Sequence, residues 1–342
     1  MAANSFSKAK IAGITCAVPA GAMSIRALGG PYFDDAFISR IAATVGTDTV
    51  HIAAEDQSSG DMGIFAAKKL MDDLGWEPES IDGLIFVSQT LDYIVPPTSC
   101  RVQYELGLPS DALVMDTNYG CPGFVYGLLH AFQTIAAGTC KRMLLITAEC
   151  HYKYVNKSDE NTALIFGDGA AAAALEYDEN AQKASFMTYV DGSYVPELAL
   201  GWNKRVANDK IKDRAYSYMN GEAVTMFMLK EIPSFVKRLL AYHGCEKEDI
   251  DLFLFHQANA YMIRFLAKRL KIDPDKVPIN IENFGNTSSV SIPLLICDKN
   301  KDLFGKTEKR ALAVGFGSGF LIAGTILTLG GLSGGEILEQ KR

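Results

Sequence analysis

The chain has 342 residues, 48% of them hydrophobic, and a formal net charge of −7. That length and apolar content support a buried core in one large or two medium domains and exclude a disordered chain. The acidic balance argues against broad binding to nucleic acid, which needs a basic face to displace counterions.

In chain order, the apolar stretch from Ile11 to Met23 reads as a first strand, with no signal peptide expected. Helical periodicity from Asp61 to Leu74 ends at Gly75, a C-cap residue. Leu84 to Val87 is a short apolar run, as expected of a strand covered on both faces. Leu113 to Asp116 is a second strand, followed by a sharp turn and a helix from Pro122 to Ala137 capped by Gly138. Met143 to Thr147 and Ala170 to Leu175 complete the first set of strands, the latter after the tight turn Phe166-Gly-Asp-Gly169. The polar stretch Tyr177–Lys183 divides the chain into 1–180 and 181–342, and the aromatic-rich residues 190 to 218 carry no clear pattern.

The second half repeats the order. A helix from Glu222 to His243, bent at Pro233, leads to a strand at Leu252–Phe255 and a helix at Ala260–Leu270. A strand-like Val277–Ile281, a turn at Asn283–Asn286, another helix and glycine-rich final strands follow. Ala311 to Gly335 is 25 residues without a charge, long enough to cross a bilayer. Its eight glycines make it strand, glycine turn and strand instead, with no membrane span. Alternating strands and helices with buried strands define an α/β fold built in layers.

The halves are copies of one unit. Gly75-Trp-Glu-Pro-Glu-Ser-Ile-Asp returns 169 residues later as Gly244-Cys-Glu-Lys-Glu-Asp-Ile-Asp. Asn118-Tyr-Gly-Cys121 returns as Asn283-Phe-Gly-Asn286, and Lys141-Arg-Met-Leu as Lys309-Arg-Ala-Leu. The duplication puts a cysteine and an asparagine at equivalent turns, where two packed halves can bring them to one site.

Cys121 stands between a strand and a helix whose first residue is read as Pro122. A helix N-terminus offers N–H donors and partial positive charge, which predicts a lowered thiol pKa and a nucleophilic sulfur. His256 follows a strand directly, at the edge where α/β sites gather. Asn286 follows Gly285 ahead of a helix, where N-capping is the ordinary role and its equivalence to Cys121 suggests a second one. Gly315-Phe-Gly-Ser-Gly319 lacks the spacing and acidic partner of a dinucleotide loop, and Phe304-Gly-Lys-Thr307 lacks the first glycine of a phosphate loop. The seven cysteines form no CxxC pair and show no metal spacing with the five histidines, so reduced thiols in a cytoplasm and no metal are expected.

Asn118-Tyr-Gly-Cys-Pro-Gly-Phe124, Phe166-Gly-Asp-Gly-Ala170, His256-Gln-Ala-Asn259, Gly285-Asn-Thr-Ser-Ser289 and Gly315-Phe-Gly-Ser-Gly-Phe320 together resemble the β-ketoacyl-acyl-carrier-protein synthase III family. The resemblance implies a thiolase-like duplicated five-layer α-β-α-β-α fold and a homodimer. It implies an acyltransferase that joins an acyl thioester to malonyl-acyl-carrier protein with loss of CO₂, in fatty-acid initiation or a specialised pathway. Cys121 would carry the acyl group, the backbone N–H groups of Cys121 and Ser318 would hold the oxyanion, and His256 and Asn286 would stabilise the enolate. Phe37, Val95, Gly221, Asn259, Phe316 and Gly317 fall at substrate-contact positions, and Arg264, Lys268 and Arg269 at a surface for an acidic carrier protein. Coenzyme A and phosphopantetheine thioesters would be substrates, with no permanent cofactor. Tyr261 replaces the family's usual basic residue, Phe37 its frequent tryptophan, and Val95 a frequent bulky phenylalanine, which suggests room for a longer or branched chain. The other readings are acyl transfer to an oxygen or nitrogen nucleophile without decarboxylation, and a non-catalytic partner subunit.

Overall fold

The structure is a computed structural model, and it describes residues 2–200 and 215–341. Two sheets carry the fold. The first runs, strand by strand, Ser333–Gln340, Ala9–Pro19, Gly169–Tyr177, Arg142–Glu149, Gly83–Val87 and Leu113–Thr117. The second runs Ala2–Phe6, Ala184–Val190, Leu321–Gly330, Glu308–Gly317 and Leu252–Phe255.

The apolar runs of the sequence are strands buried on both faces. In Gly83–Val87, Leu84 and Phe86 point to one side, among Met62, Leu70 and Val102 of two outer helices, Ser59–Leu74 and Thr98–Leu106. Ile85 and Val87 point the other way, into the cluster around the helices Gly123–Ala136 and Ser291–Lys299. That alternation is the period-2 geometry of a strand. The same middle cluster takes Leu252, Leu254, Ala311 and Ala313 from the second sheet. Phe253, Phe255, Leu312 and Val314 face outward to the helices Gly221–His243 and Ala260–Leu270. Helices, sheet, helices, sheet, helices are five layers, the thiolase-like α/β arrangement that the resemblance implies.

The repeat is visible locally. Helices Ser59–Leu74 and Gly221–His243 both end on a left-handed glycine, Gly75 and Gly244, followed by short 3-10 turns at Pro78–Ser80 and Lys247–Asp249 and then by a strand. The first of these helices opens with a capping box between Ser58 and Asp61, two residues before the start expected from the sequence. Pro233 lies inside the second.

Several expectations need correction. Val277–Ile281 is not a strand: a 3-10 turn occupies Pro274–Lys276, Pro278 removes a ladder donor, and a short helix starts at Ile281. The first strand of the chain is Ala2–Phe6, which pairs antiparallel with Ala184–Val190 in the second sheet. Ser333–Gln340 pairs parallel with Ala9–Pro19 in the first sheet. The terminal strands are therefore exchanged, and a boundary at 180/181 does not follow sheet membership at either end. Residues 192–197 form a 3-10 turn, with a small ribbon pairing Leu198–Ala199 with Tyr218–Met219. The rest of the unassigned stretch, 201–214, lies outside the described residues. The uncharged segment forms antiparallel strands, and no described helix is long and apolar enough to cross a membrane.

Candidate active site

Cys121 follows the strand Leu113–Thr117 by one turn. The helix begins at Gly123 with Pro122 as its N-cap, one position later than the sequence suggests. A Cβ at Gly123 would stand 2.6 Å from Val87 and 3.2 Å from Ser289, so only glycine lets this helix end seat against both halves. Gly317 presses on the nucleophile itself: a Cβ there would lie 2.7 Å from Cys121 Cβ and 2.8 Å from its sulfur.

His256 extends the strand Leu252–Phe255, its N–H donating to Val314 O at 2.9 Å. The next residue braces it, because Gln257 donates to Phe255 O at 2.8 Å and accepts from Asn280 N at 3.0 Å. The His256 Nδ1 lies 2.6 Å from Ser291 Oγ, while Nε2 is buried with no protein partner. Phe316 meets the ring edge-on at 5.3 Å. Burial pushes the imidazole down to about 3, so it is neutral at ordinary pH. A neutral ring carries one N–H. When it accepts the Ser291 hydroxyl proton at Nδ1, its own proton sits on Nε2, the ring nitrogen without a protein partner.

Asn286 is held by its backbone. Its N–H donates to Ile165 O at 2.8 Å and its carbonyl accepts from Gly167 N at 3.2 Å, a bridge to Phe166. The side-chain Oδ1 accepts from Ser288 N at 2.9 Å, which leaves the amide NH₂ as the free end.

Cys121, His256, Asn286, Phe316, Gly317 and Ser318 line one cavity of about 210 Å³. Gly221, the first residue of its helix, and Asn259 also face it. Asn259 accepts from Met262 N at 3.2 Å as the N-cap of Ala260–Leu270. Two expected substrate contacts do not line this cavity. Phe37 stacks on Phe33 at 4.6 Å under Arg40, with Ile41 of the same helix reaching the cavity instead. Val95 is exposed on the loop Tyr93–Val95. Arg264, Lys268 and Arg269 are exposed on the outer helix and make no ion pair with a described residue.

The expectation of a lowered cysteine pKa does not hold. Burial pushes the Cys121 thiol up to about 12; the Ser288 hydroxyl 3.7 Å away draws it down and the Glu149 carboxyl pushes it further up. In this cavity desolvation of the thiolate outweighs the helix end. The resting pair is a neutral thiol and a neutral imidazole.

Sequence reasoning missed the residues that surround the sulfur. Gln89 spans the site, accepting from Ser288 Oγ at 3.1 Å and donating to Ser318 Oγ at 2.9 Å. Glu149, wholly buried, accepts from Ser289 Oγ at 2.9 Å and Gln89 N at 3.2 Å, and burial raises its pKa to about 8. Ser291 is the partner of His256. Gln89 follows one apolar strand and Glu149 ends another, where a polar residue at the C-terminal edge was the available signal. Among the described residues, no group of three or more His, Cys, Asp and Glu could hold a metal ion.

A cysteine, a neutral imidazole and a carboxamide lining one cavity of a thiolase-like fold match the site expected of a condensing enzyme. Residues 115–193 match the 3-Oxoacyl-[acyl-carrier-protein (ACP)] synthase III family and residues 240–329 its C-terminal counterpart. The chain is 32% identical over 292 residues to the β-ketoacyl-[acyl-carrier-protein] synthase III of Caldanaerobacter subterraneus subsp. tengcongensis, covering 84% of this chain and 88% of that one. It is 34% identical to the enzyme of the same name from Xanthomonas euvesicatoria pv. vesicatoria, over 81% of this chain and 85% of the relative. A 3-oxoacyl-(acyl-carrier protein) synthase from Burkholderia xenovorans LB400 superposes with a TM-score of 0.96 at 33% identity, across 99% of both chains. The chain belongs to the 3-oxoacyl-[acyl-carrier-protein] synthase III family.

Proposed function

We propose that the protein condenses an acyl thioester with malonyl-acyl-carrier protein, releasing CO₂ and forming a 3-oxoacyl thioester. The observation that carries this reading is the shared cavity: Cys121, with Gly317 backbone against its sulfur, opens onto the same space as the unpartnered Nε2 of His256 and the amide of Asn286.

In the first half-reaction the sulfur of Cys121 attacks the carbonyl of an acyl-coenzyme A. The backbone N–H groups of Cys121 and Ser318 receive the oxyanion, a contribution of about 10²–10³ in rate per donor. The C–S bond to the leaving thiol breaks, and the cysteine proton ends on that thiol. In the second, the thioester carbonyl of the malonyl group accepts from His256 Nε2 and the Asn286 amide. These two donors stabilise the enolate as the carboxylate leaves as CO₂. The enolate carbon then attacks the acyl-cysteine carbonyl, the acyl C–S bond breaks as the tetrahedral adduct collapses, and the Cys121 thiolate so released takes a proton from water to restore the thiol. Ser291 sets the tautomer that makes His256 a donor, and Ser288 orients Asn286. Neither His256 nor Asn286 has to change protonation state, which suits an imidazole held neutral by burial.

The exposed Arg264, Lys268 and Arg269 would receive an acidic carrier protein. A second copy of the chain would cover Tyr93, the fully exposed Ile94 and Val95, together with Tyr104 and the edge strand Leu113–Thr117. An apolar loop beside an open sheet edge otherwise invites aggregation. Such a homodimer would bring the partner's loop, rather than this chain's own Val95, to the acyl end of the site. Seven free thiols fit a cytoplasmic setting.

Intact mass after mixing with acyl-coenzyme A tests the first step: an acyl adduct on the wild type and none on Cys121→Ala is expected. Release of CO₂ from malonyl-acyl-carrier protein tests the second, with Asn286→Ala acylated but unable to decarboxylate. Acylation with no CO₂ release from the wild type would refute condensation in favour of plain acyl transfer.

A further inference from the structure

The cavity holds a second histidine that the reaction above does not use. His151 is 5% exposed and lines the same space as Cys121. It begins the 3-10 turn His151–Tyr154, two residues after Glu149. Its ring stacks on Phe166 at 4.0 Å, and the Phe166 backbone is bridged to Asn286. Its backbone is fixed as well, since the buried Asp168 carboxylate accepts from the N–H groups of His151 and Tyr152. The side chain is thus held by its ring stack and its backbone, on the cavity that Cys121 also lines, and neither ring nitrogen has a protein partner.

Buried polar atoms are nearly always paired, and a native side chain with two unpaired ones calls for an explanation. His256 Nε2 is the other unpartnered ring nitrogen of this cavity, and its partner is the substrate carbonyl. The rest of the cavity lining is not simply aliphatic: Glu160, Asn161 and Thr225 share it with Leu198, Val224 and Met228. The carboxamide of Asn161 lies 3.9 Å from where a Cβ on Gly221 would stand, at the start of the long outer helix. A plain hydrocarbon chain would leave this imidazole dry and unpaired, at a cost in binding.

We infer that the acyl chain this protein accepts carries a hydrogen-bonding oxygen, a hydroxyl or a keto group, which His151 recognises. The inference rests on the acyl-enzyme reading for Cys121 and adds the substrate class. Burial pushes His151 down to about 4, so the ring is neutral, with one donor and one acceptor, and suits an uncharged oxygen rather than a carboxylate. The cavity of about 210 Å³ that Cys121 and His151 both line is the space in which such a chain would lie.

The test is single-turnover acylation of Cys121, read by intact mass, with four coenzyme A esters of equal chain length: butyryl, 3-hydroxybutyryl, 4-hydroxybutyryl and acetoacetyl. The expected result is that at least one oxygenated ester acylates about ten- to a hundredfold faster than butyryl, which also separates hydroxyl from keto and fixes the oxygen's place. His151→Leu should erase that preference, read as the ratio of oxygenated to butyryl rates within the variant, and His151→Gln, which keeps a donor and an acceptor, should retain most of it. A purely structural histidine would change stability or all four rates together. Equal rates for all four esters on the wild type, or a preference unchanged in His151→Leu, overturns the inference and leaves the acyl-enzyme intact. No adduct with any ester overturns both.

Discussion

Gly317→Ala isolates the closest approach in the site. The backbone there has φ 166, an extended conformation open to any residue, so alanine carries no backbone strain and its cost is contact alone. The added carbon would sit 2.7 Å from Cys121 Cβ, where carbons prefer about 3.5–4.0 Å, an overlap of about 1 Å. Gly317 cannot easily retreat, because it ends a strand paired with Leu321 in the second sheet. The cysteine has to give way. Overpacking of this size costs about 1–3 kcal/mol of stability, and a displacement of about 1 Å at a reacting atom costs about 10²-fold in rate. Single-turnover acylation by an acyl-coenzyme A, with thermal unfolding of the same samples, measures both. Gly192→Ala, with nothing within 4 Å of the new carbon, is the control and should match the wild type in both. If Gly317→Ala acylates at the wild-type rate, the sulfur does not react from the position described.

Three further outcomes follow from the surroundings of the triad. Ser291→Ala should leave Cys121 acylation near the wild-type rate and slow CO₂ release about ten- to a hundredfold, with Ser291→Thr restoring it, since the closest partner of the hydroxyl is His256 Nδ1 at 2.6 Å and the Gln257 N–H reaches it only at 3.5 Å. Alkylation of Cys121 by iodoacetamide should climb about tenfold per pH unit from 7 to 9 without a plateau, because the thiol titrates near 12 and its thiolate fraction rises throughout that range. A plateau near pH 7 would contradict a neutral resting pair. Burial raises Glu149 to about 8 from its ordinary value of 4.5, so between those values the folded state keeps a proton that the unfolded chain releases. That contribution to stability is full below 4.5 and lost as pH rises towards 8. Glu149→Gln should therefore gain stability relative to the wild type as pH is raised across that window, in denaturant melts at matched salt, and show no further relative gain above it.

The legible parts of the fold were those dictated by burial. Leu252–Phe255 and Ala260–Leu270 begin and end where their residues predict, because a strand covered on both faces has no polar position and an outer helix keeps a regular polar stripe. Ala2–Phe6 was not legible: it is short, partly exposed, and held by pairing with residues far along the chain. Val277–Ile281 misled because alternating apolar residues also suit an irregular segment that buries one side. In the site, the duplicated turn made Cys121 and Asn286 conspicuous and strand-end placement did the same for His256. Ser291 and His151 carry no local pattern, and Gln89 and Glu149 only a polar place at a strand end, since their meaning comes from what the fold sets opposite them. The thiol pKa went wrong for a related reason: the helix end is visible in the sequence, whereas the depth of the pocket is not.

The exchanged strands tie each sheet's completion to the far half of the chain. During synthesis the sheet that leads to Cys121 must wait for Ser333–Gln340, while Ala2–Phe6, made early, must wait for Ala184–Val190 and the strands beyond it. Removing either strand should therefore weaken the sheet of the opposite half.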